Sequence, residues 1–171
     1  MALEIREMEL KDFMSVIALI KRELMCRDNS SDIYDRLMRI YRNEAYETLV
    51  AELDGSVIGF VGTMRGLAFE QDGEYVRVIA LAVRREYQGN GIGSRLVGCV
   101  EDRALESNTI GIVISSGLKR SDAHAFYGGM GYEKRGFSFI KMLPVKRKET
   151  YDDLFAPIPP REGGMAEDES F

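Results

Sequence analysis

Leu81-Ala82-Val83-Arg84-Arg85-Glu86-Tyr87-Gln88-Gly89-Asn90-Gly91-Ile92-Gly93-Ser94-Arg95-Leu96 passes through three kinds of chain in quick succession. It starts as an apolar run with the look of a strand. A short polar turn follows, with glycines at alternate positions, Gly89, Gly91 and Gly93. It then becomes an amphipathic helix. Glycines let the backbone approach a ligand with no Cβ in the way. A helix that begins directly after them offers unpaired N–H groups and the positive end of its dipole. Strand, glycine turn and helix together describe an anion site, most naturally for phosphate.

Working outward, Tyr75 to Val83 is rich in β-branched residues and is expected as one long strand. On the other side a helix is expected from about Gly91 to Ser107, with Leu96, Val97, Val100 and Ala104 as its apolar stripe. Ile110 to Ile114 is short and apolar, as a strand covered on both faces would be. Ser121 or Asp122 can cap a short helix that runs to Met130 and stops at Gly131. Tyr132 to Leu143, broken near Gly136, is expected to supply a last strand or hairpin.

Upstream, Leu3 to Glu7 alternates apolar and charged residues like a half-buried strand. Leu10 to Cys26 has helical spacing, with Phe13, Val16, Ile17, Ile20 and Leu24 on one face. Ser30 or Ser31 is expected to cap a second helix reaching about Arg42, with Ile33, Leu37 and Ile40 inward. Thr48 to Leu53 and Val57 to Arg65, joined at Asp54-Gly55, carry a hairpin signal. The resulting order, strand, two helices, three strands, helix, strand, helix and final strands, predicts a mixed α/β sheet with helices on both faces.

Bulk properties narrow the function. The chain has 171 residues, 45% hydrophobic and 30% charged, which fits one globular domain. A net charge of −5 argues against a general nucleic-acid surface and mildly favours a cationic acceptor. The two cysteines, Cys26 and Cys99, read as buried free thiols of a reducing, cytoplasmic compartment. With one histidine, no cluster has metal-ligand spacing, so no metal is expected. No apolar run reaches the length of a membrane span, so no membrane partner is expected. After Pro144 the composition turns basic, then rich in Pro and Gly, then acidic. Residues 1–145 are therefore expected as the domain, and 146–171 as a tail outside its core and a candidate for homodimer contacts.

Three phosphate patterns compete for the glycine turn. A P-loop needs Lys and Ser/Thr after its last glycine, but Ser94-Arg95 follows Gly93. The dinucleotide fingerprint Gly-x-Gly-x-x-Gly fails from either glycine, at Ser94 and at Leu96. Gln88-x-x-Gly91-x-Gly93 remains. It resembles the Gln/Arg-x-x-Gly-x-Gly/Ala signature of the GNAT superfamily of N-acetyltransferases. Downstream, Ala123-His124-Ala125-Phe126-Tyr127, followed by Gly131-Tyr132, is similar to that family's helix motif. The resemblance covers about residues 2–143.

It implies the GNAT fold, a mixed, mostly antiparallel sheet of six or seven strands, with acetyl-CoA as co-substrate. The pyrophosphate would rest on the loop Gln88, Gly89, Asn90, Gly91, Ile92, Gly93 and Ser94. The pantetheine arm would pair with Leu81, Ala82 and Val83. Phe126 would flank it, and Tyr127 would be the catalytic acid that protonates the leaving sulfur. A backbone N–H of Ala82 or Val83 would stabilise the oxyanion. Many relatives carry a glutamate base where this chain has Ala80, which leaves Glu74, Tyr75 or an ordered water as candidates. His124 is a further ionisable residue on the motif helix. Arg120, or Lys119, is a candidate partner for a phosphate or an acidic substrate. Glu23, Arg27, Asp28, Asp32 and Asp35 fall where acceptor pockets form in this family. The stretch around Ser115–Tyr127 resembles small-molecule modifiers, including aminoalkylphosphonate and aminoglycoside acetyltransferases. The implied activity is transfer of acetyl to a primary amine of a small molecule by direct attack. The alternatives are a non-catalytic acyl-CoA-binding regulatory module and a protein or peptide N-acetyltransferase.

Overall fold

A computed structural model of the chain describes residues 2–136 and 138–143. The chain divides into two units, Met1–Gly136 and Phe137–Phe171. The segment 146–171, expected as a tail, lies outside the described residues.

The first unit is built on a sheet of five strands in the order β1-β2-β3-β4-β5. They are β1 (Leu3–Glu7), β2 (Tyr46–Leu53), β3 (Ser56–Leu67), β4 (Glu74–Val83) and β5 (Thr109–Ile114). The first four are antiparallel, and β5 joins β4 in parallel. The helices are α1 (Phe13–Glu23), α2 (Ser30–Tyr41), α3 (Ile92–Leu105) and α4 (Ser121–Gly129). The β2–β3 turn is the expected Asp-Gly one, with φ of 48° at Asp54 and 80° at Gly55. Left-handed backbone at both centres matches the twist of the flanking strands.

Side-chain alternation along the strands divides the interior in two. Phe13, Val16, Ile17, Ile33 and Leu37 of α1 and α2 pack on Val50, Phe60 and Ala82. Ile92, Leu96, Val100 and Ala104 of α3 pack on Leu49, Ile58, Val61, Val76 and Val78, across the sheet. Each such side chain, fully buried, contributes about 1.5–3 kcal/mol, so both faces are held by burial. On the α1 side, Arg6 also bonds the buried Asp12 at 2.7 and 2.8 Å, fixing the start of α1 to β1.

Three details differ from expectation. The cap of α2 is Asn29, whose Oδ1 accepts from Asp32 N at 2.9 Å, so the capping residue lies just before the serines. The sheet has five strands among the described residues, not six or seven. Residues 132–136 form no strand: Gly131 and Gly136, at φ of 89° and 74°, leave only a short run between two left-handed turns. In the second unit, residues 138–143 have no regular structure and exposed side chains.

Two features of β4 shape the site. Gly62 faces Ala80 and Thr63 faces Val78, which leaves Ile79 as the extra residue of a bulge. Pairing with β5 ends at Val78 opposite Ile114. From Ile79 to Val83, β4 has β3 on one side and an open edge on the other.

Candidate active site

A cleft of about 760 Å³ opens where β4 and β5 part. One wall is the open edge of β4 and the turn that continues it. The other is the end of β5 and the inner face of α4. Leu81, Val83, Gln88, Gly89, Gly91, Ile92, Gly93, Ser94, Phe126 and Tyr127 line it together. Ala82 and Asn90 do not. The Asn90 amide folds back onto the Tyr87 and Gln88 carbonyls at 3.2 and 3.3 Å, which holds the turn in shape.

The backbone of the open edge is oriented by strand alternation. Arg84 N–H donates to Ile58 O of β3 at 2.8 Å. Successive amides of a strand point to opposite sides, so the Ala82 N–H also faces β3 while those of Leu81 and Val83 face the cleft. The Val83 carbonyl points the same way and accepts from Gln88 Nε2 at 2.7 Å. Of the two oxyanion donors expected, Val83 stands at the open edge and Ala82 does not.

The glycine turn enters α3 through Gly91, left-handed at φ 76°. A side chain there would be strained whatever space surrounds it. The Gly91 carbonyl takes the first helical bond, from Arg95 N–H at 3.0 Å. The N–H groups of Ile92, Gly93 and Ser94 precede any helical acceptor and are free for an anion. The Phe126 ring lies 3.5 Å from where a Cβ on Gly93 would stand, an ordinary packing distance, so α4 sits directly beside the turn.

Tyr127 sits against Phe126 and Tyr132, with ring centroids 5.0 and 6.0 Å away. Burial pushes its hydroxyl above the ordinary tyrosine value, and the Arg120 positive charge partly offsets this. A phenol in that state stays protonated through neutral pH and can donate to a leaving thiolate. Arg120, and not Ser121 or Asp122 as expected, occupies the N-cap position of α4, without a side-chain capping bond, and Asp122 lies in the first turn; Arg120 and Asp122 both line the cleft.

The candidate bases fall elsewhere. Glu74 lies at the far end of β4, opposite Thr109. The Tyr75 hydroxyl donates to Glu70 at 2.9 Å, and its ring covers Gly111. Neither they nor His124 line the cleft. Of the four acidic candidates around the α1–α2 loop, Glu23 and Asp28 are engaged. Glu23 accepts from Arg85 N–H at 3.3 Å, and Asp28 pairs with Arg36 at 2.8 Å. Leu24, Ile79 and Tyr87 line the cleft and were missed. Ile79 is there because of a register shift, which leaves no mark in composition. Leu24 was legible only as an apolar residue at the end of a stripe.

The acetyltransferase (GNAT) family model matches residues 7–132. The chain belongs to that family, whose acyl donor is acetyl-CoA. An uncharacterised N-acetyltransferase of Methanocaldococcus jannaschii is 31% identical over 152 residues, 88% of this chain and 87% of the relative. N-acetyltransferase 8 of Rattus norvegicus is 30% identical over 94 residues, 55% of this chain and 42% of the relative. The chain spans about half the length of the rat relatives, 42% and 53%. Aminoalkylphosphonate N-acetyltransferase of Salmonella typhimurium is 29% identical over 90 residues, 53% of this chain and 58% of the relative. Among solved structures, a GNAT family acetyltransferase of Staphylococcus aureus superposes with a TM-score of 0.71 at 24% identity, covering 84% of this chain and 100% of that one. Among the described residues no helix is long and apolar enough to cross a membrane.

Proposed function

We propose that the chain is an acetyl-CoA-dependent N-acetyltransferase that acetylates the primary amine of a small molecule by direct attack. The observation that carries this reading is the open edge of β4, running straight into the glycine turn with Tyr127 across the cleft. Outward-facing backbone groups at Leu81 and Val83 suit an extended pantetheine arm, which would add like a strand. The free N–H groups of Ile92–Ser94 suit its phosphates. The thioester then lies beside the bulge.

A neutral amine attacks the thioester carbon. Charge collects on the carbonyl oxygen, where the Leu81 N–H is the donor of the open edge nearest the bulge. The C–S bond breaks as the C–N bond completes, and the sulfur takes a proton from the Tyr127 hydroxyl. The amine gives up its proton to water in the cleft, and Tyr127 is reprotonated from solvent. Ala80 brings no carboxylate, so no side chain at the bulge removes that proton. The small-molecule acceptor is supported by kinship to an enzyme named for aminoalkylphosphonates.

The test is release of CoA thiol from acetyl-CoA across a panel of primary amines and short peptides. Turnover with small amines is expected. Turnover confined to peptides would reverse the acceptor assignment, and tight acetyl-CoA binding with no thiol release would mark a binding module.

A further inference from the structure

With the donor placed as proposed above, on the α3 and α4 side of the cleft, the opposite face of the sheet is left for the acceptor. That face is defined by the bulge. Val76, Val78, Leu81 and Val83 point toward α3, and Ala80 and Ala82 toward α1 and α2. A Cβ on Gly62 would meet both Ala80 and Ile79, at 3.7 and 3.8 Å, so the bulge turns Ile79 to the α1 side as well. Arg77, one alternation earlier, is on that same face.

Beyond the end of α1 this face is open. Its surface beside the cleft is apolar: Ile79 is 46% exposed, Leu24 40% and Met25 60%. Met25 is held left-handed at φ 55°, and Cys26 N–H reaches back to Ile20 O at 3.3 Å, so the loop is fixed rather than slack. Arg77 is exposed, and no carboxylate among the described residues pairs with it. The arginines Arg6, Arg36 and Arg103 all have acidic partners. Around the α1–α2 loop, Glu23 accepts from Arg85 N–H and Asp28 pairs with Arg36. The acceptor side therefore presents an unpaired guanidinium past an apolar step.

We propose that the acceptor is an amine carrying an anionic group, a carboxylate or a phosphonate, and that Arg77 is the residue that binds it. This rests on the acetyl-transfer reading above. Two residues of strand separate Arg77 from Ile79, roughly 7 Å. The anion is therefore set back from the nitrogen by a short chain that lies against Ile79 and Leu24. A planar guanidinium holds either anion in a bidentate manner. This reverses the expectation of a cationic acceptor drawn from overall charge.

The experiment compares amines of matched chain length ending in carboxylate, phosphonate, hydroxyl, methyl or ammonium, with wild type and with Arg77→Gln and Arg77→Lys. The anionic amines are expected to have the lowest KM, and the carboxylate and phosphonate arms show which anion is preferred. In Arg77→Gln their KM should rise about tenfold or more. The kcat, the acetyl-CoA affinity and the KM of the hydroxyl amine should stay within about twofold. Arg77→Lys should recover part of the loss. A wild-type preference for neutral or ammonium-ended amines, no turnover of any anionic amine while acetyl-CoA binds, or an equal KM rise for all amines would overturn the proposal. Calorimetry with acetyl-CoA alone separates the outcomes: absence of binding would instead overturn the donor assignment beneath it.

Discussion

The β4 side of the cleft divides into a glycine-turn wall and a bulge wall, and the two are made of different material. The glycine-turn wall is backbone: N–H groups at the start of α3, a left-handed Gly91, and side-chain amides of Gln88 and Asn90 that brace carbonyls. The bulge wall is side chains: Ile79, Ala80 and Leu24 around a register shift. Backbone recognises phosphate whatever else the chain does, so the first wall is set by a few glycines at fixed spacing. On the proposed reading the second wall faces the acceptor, and side chains rather than backbone set its shape. The difference teaches where motif reading stops.

Variants of the two walls should separate cleanly. Tyr127→Phe removes the only proposed proton donor to sulfur, and kcat should fall by about 10²–10⁴ with acetyl-CoA affinity unchanged. Steady-state kinetics with calorimetry checks both halves, and an unchanged kcat would remove Tyr127 as the acid. Gly91→Val should do the reverse. Left-handed strain and a blocked approach should weaken acetyl-CoA binding by about a hundredfold, while kcat at saturation is largely kept.

Asp12→Asn loosens the α1 side of the sheet without touching either wall's chemistry. The hydrogen-bonded Arg6 guanidinium holds the Asp12 carboxyl below the usual aspartate range, against its own burial. A depressed native pKa stabilises the fold above the ordinary aspartate pKa, and this is lost as pH falls through the native value. The variant should cost about 1.5–3 kcal/mol at pH 7 in urea unfolding, with the deficit shrinking at acid pH. The smallest effect concerns Arg120, which lies on the face of α4 that carries Tyr127. Its positive charge opposes the rise that burial gives the tyrosine. Arg120→Gln should therefore move the basic limb of the kcat–pH profile upward by less than about one pH unit.

The same contrast explains how far the sequence could be read. The hairpin at Asp54-Gly55, the stripes on α1 and α3, and the passage from strand to glycine turn to helix are local signals, and the structure has them. The last strand did not form among the described residues because Gly131 and Gly136 take left-handed φ, which a glycine allows but does not announce. Glu74 and Tyr75 were attractive bases by residue type, yet their distance from the bulge along β4 takes them out of the cleft. The bulge at Ile79 depends on how β3 and β4 register, and the engagement of Glu23 with Arg85 on a contact across 62 residues. Neither belongs to any short window of sequence.

The central claim is that acetyl-CoA lies along the open edge of β4 with its thioester at the bulge. A crystal structure of the acetyl-CoA complex tests it most directly. Pantetheine amides hydrogen-bonded to Leu81 and Val83, phosphates on the N–H groups of Ile92–Ser94, and sulfur within reach of the Tyr127 hydroxyl are the predicted result. Acetyl-CoA bound away from that edge, or bound there with its sulfur remote from Tyr127, would contradict it.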